Sequence, residues 1–78
     1  MELKDVVALQ VKFFREQKGY SQRELSDICN FPSSYIFKVE KGLRLPNLEN
    51  IFKICDGLSI KPRDFIASVE EKLHTPLP

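Results

Sequence analysis

Polar and cationic side chains share one side of a short segment, "FPSSYIFKVEKG", residues 31–42. Ile36 and Val39 are spaced as the inner face of a helix, which leaves the opposite face free to contact a partner. That face carries two hydroxyls, an aromatic ring and two ammonium groups, from Ser33, Ser34, Phe37, Lys38 and Lys41. Hydroxyl and ammonium groups donate hydrogen bonds to anions and to the polar edges of ring systems. The segment is therefore a candidate binding face.

The composition limits the kinds of protein that could carry this face. The chain has 78 residues, 42% of them hydrophobic, which predicts one small folded domain. Twelve Lys and Arg residues against eleven Asp and Glu residues give a net charge of +1, so an anionic partner must be met by a local patch. No apolar run is long enough to span a membrane and no N-terminal signal segment is visible. We therefore expect a cytoplasmic protein with no membrane partner.

The sequence shows no set of residues that would support catalysis or metal binding. The two cysteines, Cys29 and Cys55, lie beside apolar residues at helical spacing and are expected to be free, buried thiols. The one histidine, His74, is isolated near the C-terminus, so no zinc ligand set can be assembled. No nucleophile–base set, paired carboxylates or phosphate-binding glycine loop is recognisable. We expect no enzymatic activity, no metal and no cofactor.

The sequence predicts five helices and no strand, and these helices position the candidate face. The second helix has the clearest start, because Ser21 and Glu24 form the pattern of a capping box. Gly57 is expected to stop the fourth helix, and Pro62 to open the fifth. One domain is expected over residues 1–73, followed by a short tail, residues 74–78. The predicted helices run from Leu3 to Lys18, from Ser21 to Cys29, from about Pro32 to Lys41, from Asn47 to about Asp56 and from Pro62 to Leu73.

The second and third predicted helices are joined by only a short link around Asn30. Asn tolerates a positive φ better than most residues, which suits a tight turn. So short a link forces the two helices to cross steeply and leaves the outer face of the third helix exposed. This is the helix-turn-helix arrangement.

The segment "EQKGYSQRELSDICNFPSSYIFKVEKGLRLPNLENIFKICDGLSI" resembles the lambda-repressor-like, Cro/C1-type (Xre) helix-turn-helix domain, and the resemblance covers about residues 7–70. It is similar to the small controller proteins of restriction–modification systems. The resemblance implies an all-α, compact five-helix bundle and a sequence-specific DNA-binding transcriptional regulator, either a repressor or a controller. Such a protein binds a double-stranded operator as a homodimer, with the third helix in the major groove. No small-molecule effector is expected.

The resemblance also implies roles for single residues. Arg15 and Glu40 match an internal ion pair that ties the first helix to the third. The positions that read bases are Ser33, Ser34, Phe37 and Lys38, and those that contact phosphates are Gln22, Tyr35, Lys41 and Arg44. Without the surrounding motif, Lys38 and Lys41 would be interpreted as ordinary solvated lysines. Phe37 stays open between contact with a thymine methyl group and packing against Pro32 or a neighbouring helix.

Four residues depart from the family pattern within the helix-turn-helix. Ser26 stands in place of the usual Ala, and Asn30 in place of the usual Gly. Pro32 replaces the usual Ser or Thr cap, so we expect the third helix to lack a side-chain cap. Phe37 replaces a residue that is usually polar. The last two departures affect the register of base contacts rather than the fold.

Surplus apolar residues indicate a subunit interface. The first helix carries a second apolar stripe, Val6, Leu9 and Phe13, which the last helix could instead cover. Ile54 is predicted to lie off an inner face of the fourth helix formed by Leu48, Ile51, Phe52 and Cys55. In relatives dimerisation uses the fourth and fifth helices, so the resemblance implies an interface of Ile54, Ile66, Val69 and Leu73.

An alternative function keeps the same fold but binds another protein, as an antitoxin or anti-repressor would. The near-neutral charge and an exposed Phe37 favour this alternative slightly.

Overall fold

The computed structural model describes residues 1–74, which form five α-helices and no strand. The all-α, five-helix prediction is therefore confirmed over this part of the chain. His74 lies in a turn, and the rest of the predicted tail, residues 75–78, lies outside the described residues. The helices are α1 (Leu3–Lys18), α2 (Gln22–Ile28), α3 (Tyr35–Glu40), α4 (Leu48–Leu58) and α5 (Pro62–Leu73).

Local side-chain caps define the starts of α2 and α4. Ser21 Oγ accepts the N–H of Glu24 at 3.0 Å, and Glu24 Oε1 accepts the N–H of Ser21 at 2.8 Å. Asn47 Oδ1 accepts the N–H of Asn50 at 2.8 Å. The predicted capping box at Ser21 is confirmed, and Asn47 caps α4; each satisfies backbone donors that a helix start leaves without an intrahelical acceptor.

One apolar core holds the helices together. α1 packs against α3, α4 and α5, and α2 packs against α3 and α4. Burial of each large apolar side chain contributes about 1.5–3 kcal/mol to folding. The core residues, drawn from all five helices, are Val6, Val7, Val11, Leu25, Cys29, Ile36, Val39, Ile51, Ile54, Cys55, Leu58, Phe65 and Val69.

The inner face of α4 differs from the predicted one. Ile54 is fully buried, so the prediction that it lies off the inner face is wrong. Leu48 and Phe52, predicted to lie inside, are 68% and 54% exposed. The face that enters the core is Ile51, Ile54, Cys55 and Leu58. On α2, the helical spacing of Ile28 from Leu25 predicts that it faces inward, but it is 50% exposed.

The prediction that Gly57 ends α4 is wrong, because Gly57 lies within the helix. The helix continues to Leu58, and Ser59 takes the left-handed conformation at its end, with φ 58°. A Cβ atom at Gly57 would lie 2.7 Å from Cys29 Sγ, too close for any side chain without movement. The glycine therefore allows α4 to pack closely against Cys29 at the end of α2, rather than acting as a stop signal.

Both cysteines are free and buried, as predicted. Cys29 Sγ lies 3.4 Å from the carbonyl oxygen of Lys53 and donates a weak hydrogen bond to it. Burial raises the pKa of Cys29 and of Cys55 to about 11, because a thiolate is poorly solvated inside the core. Both groups therefore stay protonated thiols near neutral pH.

Candidate nucleic-acid interface

The third helix is shorter than predicted. α3 begins at Tyr35 rather than near Pro32, and Ser33 and Ser34 form a turn before it. The link between α2 and α3 is therefore longer than expected, covering residues 29–34. Its predicted left-handed residue is confirmed, since Asn30 has φ 60°.

Ser26 joins α2 to this link and to α3. Its carbonyl oxygen accepts the N–H of Phe31 at 2.8 Å. Its hydroxyl oxygen accepts the N–H of Ile36, in the first turn of α3, at 3.1 Å. Ser26 is fully buried. Sequence inspection identified Ser26 only as a small residue, and no local signal pointed to a partner beyond the turn.

The residues predicted to read bases form one exposed face. Ser33, Ser34, Phe37 and Lys38 are all exposed to solvent. Phe37 is 43% exposed and is not part of the core. Lys41 Nζ lies 5.6 Å from the centre of its ring, within the range of a cation–π contact. The structure thus places an aromatic surface and ammonium groups side by side.

The positions predicted to contact phosphates differ in their exposure to solvent. Lys41 and Arg44 are exposed, while Gln22 and Tyr35 are partly buried. Tyr35 is held by Asn50, whose Nδ2 donates to the tyrosine oxygen at 3.0 Å, and by the ring of Phe31 at 4.3 Å between centroids. The Tyr35 hydroxyl accepts this bond and still has its own proton to donate.

The predicted ion pair is confirmed and is nearly buried. Arg15 Nε donates to Glu40 Oε2 at 2.7 Å and Nη2 donates to Oε1 at 3.0 Å, with side-chain exposures of 10% and 4%. Arg15 Nη1 also donates to the carbonyl oxygen of Tyr20 at 2.8 Å. The hydrogen bond to Glu40 raises the pKa of Arg15, so the guanidinium remains charged.

Gln22 completes a network across the first three helices. Its Nε2 donates to Glu40 Oε1 at 2.9 Å, so Glu40 receives bonds from both α1 and α2. Glu40 is the one acidic residue of α3, and its charge is compensated within the fold. The exposed charges of α3 and of the loop after it, Lys38, Lys41 and Arg44, are consequently all positive.

The predicted dimer interface needs correction. Ile54 is fully buried and Val69 is 5% exposed, so both belong to the core and neither is available to a second subunit. Leu73 is partly buried against the same core, and Ile66 is 46% exposed. We define the α4–α5 patch as the exposed apolar residues Leu45, Leu48, Phe52 and Ile66. Leu45, Leu48 and Ile66 line one groove together with Leu3.

The second apolar stripe of α1 is divided between core and surface. Val6 is fully buried, whereas Leu9 and Phe13 are 44% and 49% exposed. The alternative that α5 covers the whole stripe therefore does not hold. Over residues 1–74, no helix has the length and apolarity to cross a membrane, and no group of side chains is placed to hold a metal ion.

Two short helices, packed against each other and joined by residues 29–34, with the second exposing a cationic face, form a helix-turn-helix. The fold and this face define the class of the protein as DNA-binding helix-turn-helix transcriptional regulators. The comparison with known families agrees. A family model described as Helix-turn-helix matches residues 11–65, and the chain belongs to this family, as a member of the Cro/C1 type.

Relatives of the chain are transcription factors and controller proteins. A hypothetical transcription factor of Neisseria meningitidis serogroup B is 31% identical over 72 residues, which are 92% of this chain and 68% of the relative. The crystal structure of the Neisseria transcription factor NHTF matches with a TM-score of 0.82 and 29% identity, over 96% of this chain and 86% of that chain.

Restriction–modification controller proteins have the same fold. C.AhdI from Aeromonas hydrophila matches with a TM-score of 0.75 and 32% identity, over 80% of this chain and 94% of that chain. C.Esp1396I, solved as a tetramer in complex with its natural 35 base-pair operator, has a TM-score of 0.85 over 94% of this chain and 96% of that chain. Its identity of 23% shows likeness of fold alone.

Proposed function

We propose that the protein binds a double-stranded DNA operator as a homodimer, in the cytoplasm, with α3 in the major groove. The observation that carries this proposal is the exposed face of α3 and the loop after it, on which every exposed charge is positive. Such a face meets the phosphates of a duplex without requiring a strongly basic protein, and the net charge is only +1.

The residues of the face divide into two roles. Ser33, Ser34 and Lys38 supply hydrogen-bond donors for base edges, and Phe37 supplies an apolar surface for a thymine methyl group. Lys41 and Arg44 supply positive charge for phosphates at the borders of the face. Gln22 and Tyr35 each carry a donor that their observed bonds leave available, so both suit phosphates that fix the register of α3.

A homodimer is proposed because one reading helix covers too little DNA. α3 has six residues, and a single short helix contacts only a few base pairs. The α4–α5 patch offers Leu48, Phe52 and Ile66 as exposed apolar surface on the side of the fold that the family uses for dimerisation. Two subunits related by a two-fold axis would centre their α3 helices about 34 Å apart, one turn of B-DNA. The operator-bound tetramer of C.Esp1396I supports an oligomer on DNA.

Selection from a randomised duplex library tests DNA recognition. We expect one enriched, approximately palindromic site. Its affinity should fall steeply between 50 and 200 mM salt, by about 10³-fold or more if roughly six phosphates are contacted. Absence of an enriched sequence, together with binding that does not depend on salt, would contradict the proposal.

A protein-interaction module is the second candidate, and the 43% exposed ring of Phe37 favours it. A polar reading face does not need a large aromatic residue, whereas a protein interface does. A Phe37→Ser variant separates the two functions. On the DNA proposal it keeps the salt-dependent affinity for random duplex and changes only sequence preference, whereas an interaction module would show no such affinity in either form.

A further inference from the structure

α3 depends on another helix for the cap of its first turn. The first N–H groups of any helix lack an intrahelical acceptor. Ser34, at the N-cap position, has φ −96° and ψ 1° instead of an extended backbone, and its side chain makes no capping bond. Pro32 stands where related domains carry a Ser or Thr cap. The buried N–H of Ile36 is satisfied by Ser26 Oγ at 3.1 Å.

We propose that Ser26 is a positioning residue for operator recognition. Its hydroxyl caps α3 from within α2 and so fixes the orientation in which α3 presents Phe37 and Lys38. The inference rests on the proposed function, because an orientation matters only if α3 contacts a partner of fixed shape. Alanine is usual at this position in the family, so space alone does not require a hydroxyl here.

The geometry around Ser26 explains why one hydroxyl can have this effect. α3 has six residues, too few to hold a helix without external contacts. The backbone oxygen of Ser26 holds Phe31, at the start of the chain segment leading to α3, and its side-chain oxygen holds Ile36. Both bonds are directional and lie on a fully buried residue. Loss of the hydroxyl leaves the Ile36 N–H without its acceptor and removes the hydrogen bond that joins α2 directly to the first turn of α3, while the bond from Asn50 to Tyr35 remains.

Hydrogen exchange on the free protein tests the cap without any DNA. In a Ser26→Ala variant, exchange of the Ile36 amide should accelerate about tenfold or more, because a buried donor has lost its acceptor. The amide of Leu25 should be nearly unchanged. Ser68→Ala is the matched control, since Ser68 Oγ donates to Phe65 O at 2.7 Å within α5, a helix that packs against α1 and α4. This control should leave Ile36 exchange unchanged.

Binding measurements on the same proteins test positioning. Ser26→Ala should weaken affinity for the selected operator about tenfold and affinity for random duplex by less than about twofold. A residue that only stabilises the fold would lower the melting temperature and leave the ratio of the two affinities unchanged. Circular dichroism at the binding temperature establishes that the helices are retained.

Unchanged Ile36 exchange in Ser26→Ala, or equal losses of affinity on operator and random duplex, would overturn the inference. Faster Ile36 exchange in a protein that binds no DNA at all would keep the cap but refute both the positioning role and the proposed function.

Discussion

The region around α3 and the region of α4 and α5 are built by different forces. α3 has six residues and is tied to α1 and α2 by directional polar bonds, from Arg15 and Gln22 to Glu40 and from Ile36 to Ser26. α4 and α5 have 11 and 12 residues and are joined by apolar packing. Hydrogen bonds specify distance and direction, whereas the hydrophobic effect rewards contact of any geometry.

The exposed face of α3 and the α4–α5 patch differ in the same way, one polar and the other apolar. The outer face of α3 presents hydroxyls and ammonium groups around one aromatic ring, while the α4–α5 patch presents aliphatic and aromatic carbon. A surface that must recognise a pattern of donors and acceptors is held by polar bonds. A surface suited to associate with another apolar surface is held by packing. The predictions below test this division, beginning with the largest expected effect.

Removal of either partner of the Arg15–Glu40 pair should have the largest effect on stability. Arg15→Ala leaves the Glu40 carboxylate, 4% exposed, without its counter-ion and should lower the free energy of unfolding by roughly 3–5 kcal/mol. Urea denaturation measures this. The matched control is Glu49→Ala, because the exposed Glu49–Lys53 pair at 3.8 Å should contribute well under about 1 kcal/mol. A Glu40→Ala variant with unchanged stability but no DNA binding would instead place Glu40 at the interface.

A charge in the α4–α5 patch should separate the subunits. Ile66→Glu places a carboxylate on an exposed apolar residue and should convert a micromolar dimer to monomer, with loss of about 100-fold or more in operator affinity. Ala67→Glu adds the same charge to an adjacent exposed position on a different side of α5 and should change neither. Sedimentation equilibrium measures the oligomer. A wild-type protein that stays monomeric at high concentration, with and without DNA, would refute the dimer.

Substitution of Lys38 and of Lys41 should have different effects on DNA binding. Lys38→Ala should lose discrimination between the operator and mutated operators, by about 1–3 kcal/mol. Lys41→Ala should weaken operator and random duplex alike and reduce the salt slope by about 1. Binding titrations at several salt concentrations measure both. Equal losses on operator and random duplex for Lys38→Ala would assign Lys38 to the backbone and shift the register of α3.

The smallest predicted effect concerns the junction between the two regions, where Cys29 of the α2–α3 link faces α4. Burial raises the pKa of Cys29 from its ordinary value of 9.0 to about 11. The buried thiol therefore stabilises the fold fully below pH 9, and this contribution is lost as pH rises from 9 to 11. Between pH 8 and 10 the wild type should lose about 1 kcal/mol more stability than Cys29→Ala. Parallel urea curves at the two pH values would contradict this.

Local signals were sufficient for the helix starts and for the charged face. The capping box of Ser21 and Glu24 and the cap at Asn47 involve partners three residues apart, so the sequence contains both members. The Arg15–Glu40 pair joins residues far apart in the chain, and only the family resemblance indicated it. Exposure of Lys38 and Lys41 followed from the helical spacing of Ile36 and Val39.

The inner face of α4 could not be chosen from its own sequence. The segment "LENIFKICDGL" contains two overlapping apolar stripes at helical spacing, and either could face inward. Packing of α4 against α1, α2 and α5 decides between them, and Gly57 lies on the side that approaches Cys29. In this orientation Ile54 is buried and Phe52 is exposed. The choice lies in tertiary packing rather than in local periodicity.

The start of α3 was mispredicted for a similar reason. Pro32 is compatible with a first helical turn, and nothing nearby in the sequence argues against it. In the structure the N–H of Tyr35 donates to Pro32 O at 2.9 Å, and the N–H of Ile36 donates to Ser26 Oγ. The acceptor for Ile36 lies ten residues away in the preceding helix, beyond the reach of any capping pattern.

The close contact at Gly57 has a mechanical consequence for a dimer built through the α4–α5 patch. Residue 57 places no side chain between α4 and the end of α2, and a Cβ atom there would lie 2.7 Å from Cys29 Sγ, so the two helices are closely packed at this point. α2 in turn holds α3 through Ser26. In such a dimer, the position of α3 relative to the dimer axis would be set through these two contacts. The half-site separation that such a dimer tolerates would then depend on packing inside each subunit, at the contact between Gly57 and Cys29.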